Sequence, residues 1–229
     1  MINFEEVIKV AEQKTRLTFS DKDKSAFRAI LSYLGEFSDS FSWRSKANRP
    51  SLDNTEGASE IAQKFIEARL EKVLPVRPKT VPDPVVFLVM QEYYENSQAD
   101  KNRIEEYHLE AMSSENIVGG LLERYIDSVL GESGWVWCSG NFVKSVDFIK
   151  FENGRWIELQ IKNRSNSENS SSQSVRDNTN IKKWYRTNAL TGQTKWDTFP
   201  DSKAVNCLSE DGFHKYVKQY IKSHKARVN

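Results

Sequence analysis

Two strand-like segments joined by a tight turn impose the strongest constraint on the fold of this 229-residue chain. Aromatic and β-branched residues dominate Phe142–Phe151 and Arg155–Lys162, and Glu152-Asn153-Gly154 lies between them. Because Asn and Gly tolerate positive φ angles, Asn153-Gly154 is typical of a β-hairpin turn. The sequence therefore predicts an antiparallel hairpin at this point of the chain.

The two faces of the second strand differ in chemistry, since side chains alternate along a strand. One face carries the apolar residues Ile157, Leu159 and Ile161, and the other carries Trp156, Glu158, Gln160 and Lys162. Across the hairpin, Asp147 has apolar neighbours, and a charge there is costly unless it is paired. Folding at the turn places Asp147 near Gln160 or Lys162. Such a group could hold Mg²⁺, which prefers oxygen ligands, while the lysine orients a water molecule.

Helical periodicity surrounds the hairpin. Apolar residues recur at helical spacing in Asn3–Leu17, Asp21–Phe37, Glu56–Leu74, Val85–Met112 (with a possible break near Asn96–Asp100), Glu115–Leu130 and Phe213–Arg227. Trp135–Trp137 is expected to form a short strand. Four prolines between Pro75 and Pro84 indicate a stiff connector. We expect an α/β fold with an N-terminal helical region, residues 1–111, and a sheet core, residues 112–229, which could also form one integrated domain.

Charge and composition exclude several classes of protein. Lys and Arg total 33 against 32 Asp and Glu, which excludes a histone-like or acidic-tail protein. Residues 1–110 carry 16 basic and 19 acidic side chains and residues 111–229 carry 17 and 13, so a polyanion is expected to bind the second half. Mean hydropathy is −0.65 and no apolar run approaches roughly 18 residues, so we expect no membrane span. Without a secretory signal pattern, the expected location is the cytoplasm. Two cysteines and three isolated histidines argue against a disulfide framework or a zinc site.

The hairpin residues resemble the active-site pattern of the PD-(D/E)XK nuclease superfamily, with one departure. Asp147 corresponds to its first acid, and Gln160-Ile161-Lys162 corresponds to its second acid, spacer and lysine. Gln160 stands where Asp or Glu is usual, and a neutral amide oxygen is a weaker Mg²⁺ ligand. Glu158, on the same face, and Glu123, on the preceding helix, are candidates for the missing acid, although Glu123 also fits a solvated helix face.

A longer resemblance covers roughly residues 112–215. It is carried by the segments Glu115–Glu123, Asp147–Ile149, Gln160–Ser172 and Ile181–Arg186, and it is most specific from Gln160 to Arg186. These segments resemble the SinI family of type II restriction endonucleases, and Gln at the second acid position belongs to that family's pattern.

The resemblance implies a PD-(D/E)XK-like mixed sheet and Mg²⁺-dependent cleavage of double-stranded DNA at GGWCC, where W is A or T. It also implies a cognate DNA cytosine methyltransferase, and a palindromic site implies a homodimer. The implied catalytic residues are Asp147, Gln160, Lys162 and Glu123, and the implied metal ligands are Asp147 and Gln160.

The polar segment after Lys162 is the expected DNA-binding region, with a flexible linker as the alternative. Arg164 and Arg176 could contact guanine, Glu168 could accept from cytosine, and Asn163, Asn166 and Asn169 could bind phosphates or base edges. Lys182, Lys183 and Arg186 could anchor phosphates, or belong to a strand with a core Trp184 and solvated lysines.

Two other functions stay open at this point. One is a different nuclease of the same superfamily, acting in repair or on particular DNA structures. The other is a non-catalytic nucleic-acid-binding protein in which Asp147 and Lys162 form a structural ion pair.

Overall fold

The computed structural model describes residues 2–44, 47–79, 83–94, 100–165 and 180–225, and within them four strands form one mixed sheet. Their order in the sheet follows the chain: β1 (Trp135–Trp137), β2 (Phe148–Glu152), β3 (Arg155–Ser165) and β4 (Lys182–Asn188). The first three strands pair antiparallel, and β4 pairs parallel to β3. The expected mixed sheet flanked by helices, which is consistent with a nuclease core, is confirmed.

The hairpin between β2 and β3 forms around the predicted turn. Asn153 and Gly154 have φ angles of 53° and 74°, which is the backbone region that these two residues tolerate. The first strand of the hairpin is shorter than predicted, because it begins at Phe148 rather than Phe142. Asn141 and Ser145 have positive φ angles and interrupt the extended backbone before that point.

Three N-terminal helices cover one face of the sheet: α1 (Phe4–Thr15), α2 (Asp21–Glu36) and α3 (Thr55–Leu70). Each begins at a polar residue whose side chain accepts a hydrogen bond from the first turn, namely Asn3, Ser20 and Asn54. The three predicted helices are therefore confirmed to within a few residues.

Helix α4 (Pro84–Tyr94) precedes the long helix α5 (Lys101–Leu130). Helix α5 is continuous from Lys101 to Leu130, so the predicted helical segments that end at Met112 and begin at Glu115 are one helix. The possible break near Asn96–Asp100 lies almost entirely outside the described residues. The proposed boundary between residues 111 and 112 falls inside α5, and the division into two regions stays a prediction. The chain continues through α6 (Ser202–Val205) and α7 (Glu210–His224).

Two hydrophobic cores lie on opposite faces of the sheet. Phe27 and Phe65 of the N-terminal helices share one core with Ile149 of β2. Leu122 of α5 and Phe148 of β2 belong to the other core, which also includes residues of β3, β4 and α7. Because α5 and the N-terminal helices hold the sheet between them, side chains from both layers reach the same end of the hairpin. In the part of the chain that the structure describes, we find no helix with the length and apolar character needed to cross a membrane.

Candidate active site

Asp147 lies where the hairpin ladder opens, immediately before β2. Its amide donates to the carbonyl of Leu159 (2.9 Å), and its carbonyl accepts from the amide of Cys138 (2.9 Å). The side-chain Oδ2 accepts from the amide of Ile161 at 2.7 Å. The Asp147 carboxylate thus takes a hydrogen-bonding position that a backbone carbonyl would fill in a regular ladder, which fixes its orientation at the edge of β3.

The second half of the motif lies on β3, opposite Asp147. Gln160 is buried and Lys162 is exposed, on the face of β3 that is opposite to Leu159 and Ile161. In the parallel pairing of β3 with β4, Gln160 stands beside Lys183. Partial desolvation and the charge of Lys162 lower the pKa of Lys183. A positively charged strip therefore borders the motif on β3 and β4.

Glu123 reaches the same region from helix α5. Trp137 of β1 is buried and donates its indole Nε1–H to Glu123 Oε2 at 2.8 Å. Trp135, which lies two residues earlier and points to the same face of the sheet, donates in a similar way to Asp201 Oδ2 at 2.8 Å. A buried indole needs a hydrogen-bond acceptor, and at Trp137 that acceptor is a carboxylate of the candidate site.

A cavity of about 470 Å³ gives solvent access to the two carboxylates. Glu71, Glu123, Arg124, Trp137 and Asp147 contribute to its walls. Arg124 donates to the carbonyl of Glu71 (2.9 Å), and its guanidinium lies 4.9 Å from the centre of the Trp137 ring. Arg124 therefore ties the end of α3 to α5 and closes one side of the cavity over Trp137.

The two half-buried carboxylates of the site have raised pKa values. Burial and then the charge of Asp147 raise the pKa of Glu123 to about 7, against the lowering effect of Trp137, Arg124 and Lys162. Burial also raises the pKa of Asp147, against the lowering effect of the Ile161 amide and Lys162. Since Lys162 acts on both carboxylates, the three side chains form one electrostatic unit. A bound divalent cation would relieve the repulsion between the Asp147 and Glu123 carboxylates.

Glu158, the other candidate for the missing acid, has a different environment. Its Oε1 accepts the hydroxyl hydrogen bond of Tyr33 on α2 at 2.5 Å. The ring of Tyr33 packs edge-on against Trp156, the neighbouring residue on the same face of β3. Glu158 is therefore bound to the N-terminal helices, whereas Glu123 lines the cavity beside Asp147.

The predicted DNA-binding residues fall into three groups. Arg164, Lys182 and Lys183 are exposed at the surface of β3 and β4. Trp184, which follows the two lysines, is buried, so β4 (Lys182–Asn188) is a strand with a core tryptophan and exposed lysines. The predicted residues Asn166, Glu168, Asn169 and Arg176 lie outside the described residues.

Asn163 and Arg186 make contacts within the chain. Arg186 Nε donates to Asn163 Oδ1 at 3.0 Å, and Arg186 Nη1 pairs with Glu210 Oε1. The Arg186 guanidinium also lies 5.1 Å from the centre of the Phe213 ring. These contacts place both side chains in the packing between the sheet and α7, so a DNA contact by either one requires this network to rearrange.

Sequence reasoning predicted Asp147, Lys162 and Glu123 as site residues, and it did not single out Trp137 and Arg124, which line the cavity with Asp147 and Glu123. One signal was present for Trp137: two tryptophans spaced for one face of a short strand need acceptors if that face is buried. No comparable signal existed for Arg124, because its acceptors are backbone carbonyls of a distant helix.

Comparison with known proteins extends the resemblance seen in the sequence. The family model of the SinI restriction endonuclease matches residues 8–223, which includes the N-terminal helices. The type II restriction enzyme SinI of Salmonella infantis is 43% identical over 226 residues, covering 97% of this chain and 96% of that protein. The type II restriction enzyme Eco47I of Escherichia coli is 44% identical over 200 residues, covering 86% of each protein. With a match of this extent, the chain belongs to the SinI restriction endonuclease family.

Proposed function

We propose that this chain is a type II restriction endonuclease that hydrolyses phosphodiester bonds of double-stranded DNA at GGWCC, with Mg²⁺ as cofactor. The observation that carries this proposal is the convergence of Asp147, Glu123 and Lys162 at the open end of the hairpin. Relatives that cover nearly the whole chain are named type II restriction enzymes, which supports the same reaction.

The donor groups of the site fit Mg²⁺. Mg²⁺ needs only one or two carboxylates together with water and phosphate oxygens. Asp147 and the Gln160 amide oxygen would hold the ion, and Glu123 would supply further negative charge. When bound, Mg²⁺ neutralises negative charge on the phosphate and on its ligands.

The chain's own residues have separate tasks in this scheme. Asp147 is held in one orientation by the Ile161 amide, so it requires little reorganisation when DNA binds. Lys162 orients the attacking water and stabilises the charge that develops on the phosphate. Glu123, held by Trp137, can accept a proton because its pKa of about 7 is close to physiological pH. The water oxygen would form a bond to phosphorus in line with the 3′ oxygen while the bond from phosphorus to the 3′ oxygen breaks, and the 3′ oxygen would take up a proton from solvent.

DNA recognition is assigned to the end of β3 and to the segment that follows it. Arg164 is exposed two residues after Lys162, so a side chain that reads guanine would lie next to the scissile phosphate. Lys182 and Lys183 supply phosphate contacts, which set position without reading sequence. At the centre of GGWCC, A and T present similar minor-groove patterns, so groove pattern or deformability would separate W from G·C.

The palindromic site requires two copies of the chain, each cutting one strand. A cognate DNA cytosine methyltransferase would protect the host's own sites. The proposed location is the cytoplasm, where the enzyme would meet the DNA that it cleaves.

Cleavage of a plasmid with known GGWCC positions tests the proposal. The purified protein with Mg²⁺ should give discrete fragments whose sequenced ends map to GGWCC, and no cutting in the presence of EDTA. Plasmid methylated at the cytosines of these sites should stay intact. Ends scattered over unrelated sequences would indicate a different nuclease, and DNA that stays intact without methylation would indicate a non-catalytic binding protein.

A further inference from the structure

The loop between β1 and β2 forms part of the wall of the active-site cavity. Asn141, Lys144 and Ser145 of this loop line the same cavity as Asp147. Lys144 is exposed, and it is the only charged residue between Cys138 and Asp147. The catalytic scheme above gives this lysine no task.

The backbone on both sides of Lys144 is fixed. Val143 and Val146 are buried in the core that the N-terminal helices share with the sheet. The amide of Lys144 donates to the carbonyl of Ser40 at 2.8 Å. Ser145 has a φ angle of 59°, a backbone region that few residues other than glycine adopt, so the chain turns sharply between Lys144 and Val146. Lys144 is therefore held beside the cavity through its backbone, while the residue itself is exposed to solvent.

The charge of Lys144 is not used within the chain. Its side chain forms no hydrogen bond and no ion pair in the part of the chain that the structure describes, and this includes Glu71 of the same cavity. The cation that lowers the pKa of Asp147 is Lys162 on β3. Arg124 is the other cation among the described residues that line the cavity, and its guanidinium donates to backbone carbonyls of α3 and of the residue that follows it. The ammonium group of Lys144 is therefore available to an anion that enters the cavity.

The chain also places Lys144 close to DNA bound at Asp147. Three residues span at most about 11 Å of extended chain. Successive phosphates of one DNA strand advance about 3.4 Å along the helix axis. The distance from Asp147 to Lys144 thus corresponds to at most about three phosphates.

We propose that Lys144 binds a DNA phosphate within about three nucleotides of the phosphate that is cleaved. The inference rests on the proposed function, because it takes Asp147 as the point of cleavage. A lysine ammonium is a point charge, and a phosphate contact adds affinity without reading sequence. Lys144 adds a contact from the loop before β2 to those that Lys182 and Lys183 supply from β4.

The test is the binding of double-stranded DNA without metal, measured by fluorescence anisotropy over a range of salt concentrations. Lys144→Gln should raise the dissociation constant about five- to tenfold near 0.1 M salt, equally for a GGWCC duplex and for an unrelated duplex. The slope of log affinity against log salt should decrease by about 0.9. Lys144→Arg keeps the charge and should keep the slope. Lys9→Gln is the matched control, since Lys9 is an exposed lysine of α1 outside the cavity lining, and its variant should change neither quantity.

Duplexes that carry a single uncharged methylphosphonate locate the contact. One such replacement, within about three nucleotides of the sequenced cut, should weaken binding by wild type and have no effect on Lys144→Gln. Near-ultraviolet circular dichroism checks folding, and Lys144→Met removes the same charge if Lys144→Gln misfolds.

Unchanged affinity and salt slope in the folded variant would overturn the phosphate contact, and so would a loss confined to the GGWCC duplex. A wild type that binds DNA with the Lys144-dependent slope but never cuts it contradicts the proposed function and leaves the contact in place.

Discussion

Replacing the carboxylate of Glu123 should stabilise the metal-free protein at alkaline pH. Glu123 and Asp147 lie in the same partly buried site, and burial together with the Asp147 charge raises the pKa of Glu123 from 4.5 to about 7. Ionised Glu123 therefore costs folding free energy unless a cation is bound. In Glu123→Gln that charge is absent, and the amide oxygen can still accept the hydrogen bond from Trp137.

The size of the effect follows from the shift in pKa. A rise from 4.5 to about 7 corresponds to about 3 kcal/mol, since each pH unit is worth about 1.4 kcal/mol. The folded state binds the proton more tightly than the unfolded state, so the stabilising contribution is complete below pH 4.5 and is lost as pH rises through about 7. We expect Glu123→Gln to lose this pH dependence. The free energy of unfolding of the variant minus that of wild type should therefore increase by up to about 3 kcal/mol between pH 4.5 and pH 8.

Urea unfolding in EDTA at both pH values measures this difference. Any stability that the variant loses because the amide packs less well is the same at both pH values, so it cancels when the two stability differences are subtracted. Glu71→Gln is the matched control, since Glu71 lines the same cavity with an exposed side chain and its variant should change stability by less than about 0.5 kcal/mol. Added Mg²⁺ should stabilise wild type at pH 8 and narrow the gap. An equal difference between wild type and Glu123→Gln at both pH values would refute the reasoning.

Three further predictions concern positioning, backbone and DNA contacts. Trp137→Phe should lower stability by about 1–3 kcal/mol and should also slow DNA cleavage by the folded enzyme, because Trp137 holds Glu123. Trp135→Phe, which removes the hydrogen bond to Asp201, should lower stability only. Equal cleavage rates in the two variants would show that Trp137 does not position Glu123. Gly119 and Gly35 lie in helices, and among the described residues no atom outside the local helix backbone and the adjacent residues comes within 4 Å of an added methyl group. Ala at either position should therefore raise stability by about 0.5–1 kcal/mol in thermal unfolding. Arg164→Ala should weaken specific DNA binding by about 1–3 kcal/mol and reduce discrimination at one base pair. A binding assay with substituted DNA sites measures both effects. An equal loss of affinity for all sequences would indicate that Arg164 contacts a phosphate instead.

The sequence alone was sufficient where local geometry decides the outcome. The turn at Asn153-Gly154 depends on the backbone preferences of two residues, and it fixes the pairing of β2 with β3. That pairing brings Asp147 to the amide of Ile161, as the hairpin predicted within one residue. The N-terminal helices were predictable for the same reason, because spacing and capping residues are local properties.

The features that the sequence did not predict depend mainly on contacts between segments that are far apart in the chain. The different surroundings of Glu123 and Glu158 could not be predicted from the hairpin, because Tyr33, which donates a hydrogen bond to Glu158, is 125 residues away in the chain. The extended run before β2 was overestimated because positive φ angles at Asn141 and Ser145 break the strand without a glycine at either position. Packing of α5 across the sheet brings Glu123 to Trp137, and helical periodicity carries no information about that partner.

Cleavage of GGWCC-containing DNA by Asp147→Asn and Lys162→Met tests most directly whether the hairpin is the active site. The amide oxygen of Asn can keep the hydrogen bond from Ile161, so the first variant removes charge and preserves the local fold. Both variants should bind the site without Mg²⁺ yet cut it at least about a thousandfold more slowly than wild type, while Lys182→Met should weaken binding and still cut. Near wild-type cutting by folded Asp147→Asn would contradict the account and favour a structural role for Asp147 and Lys162.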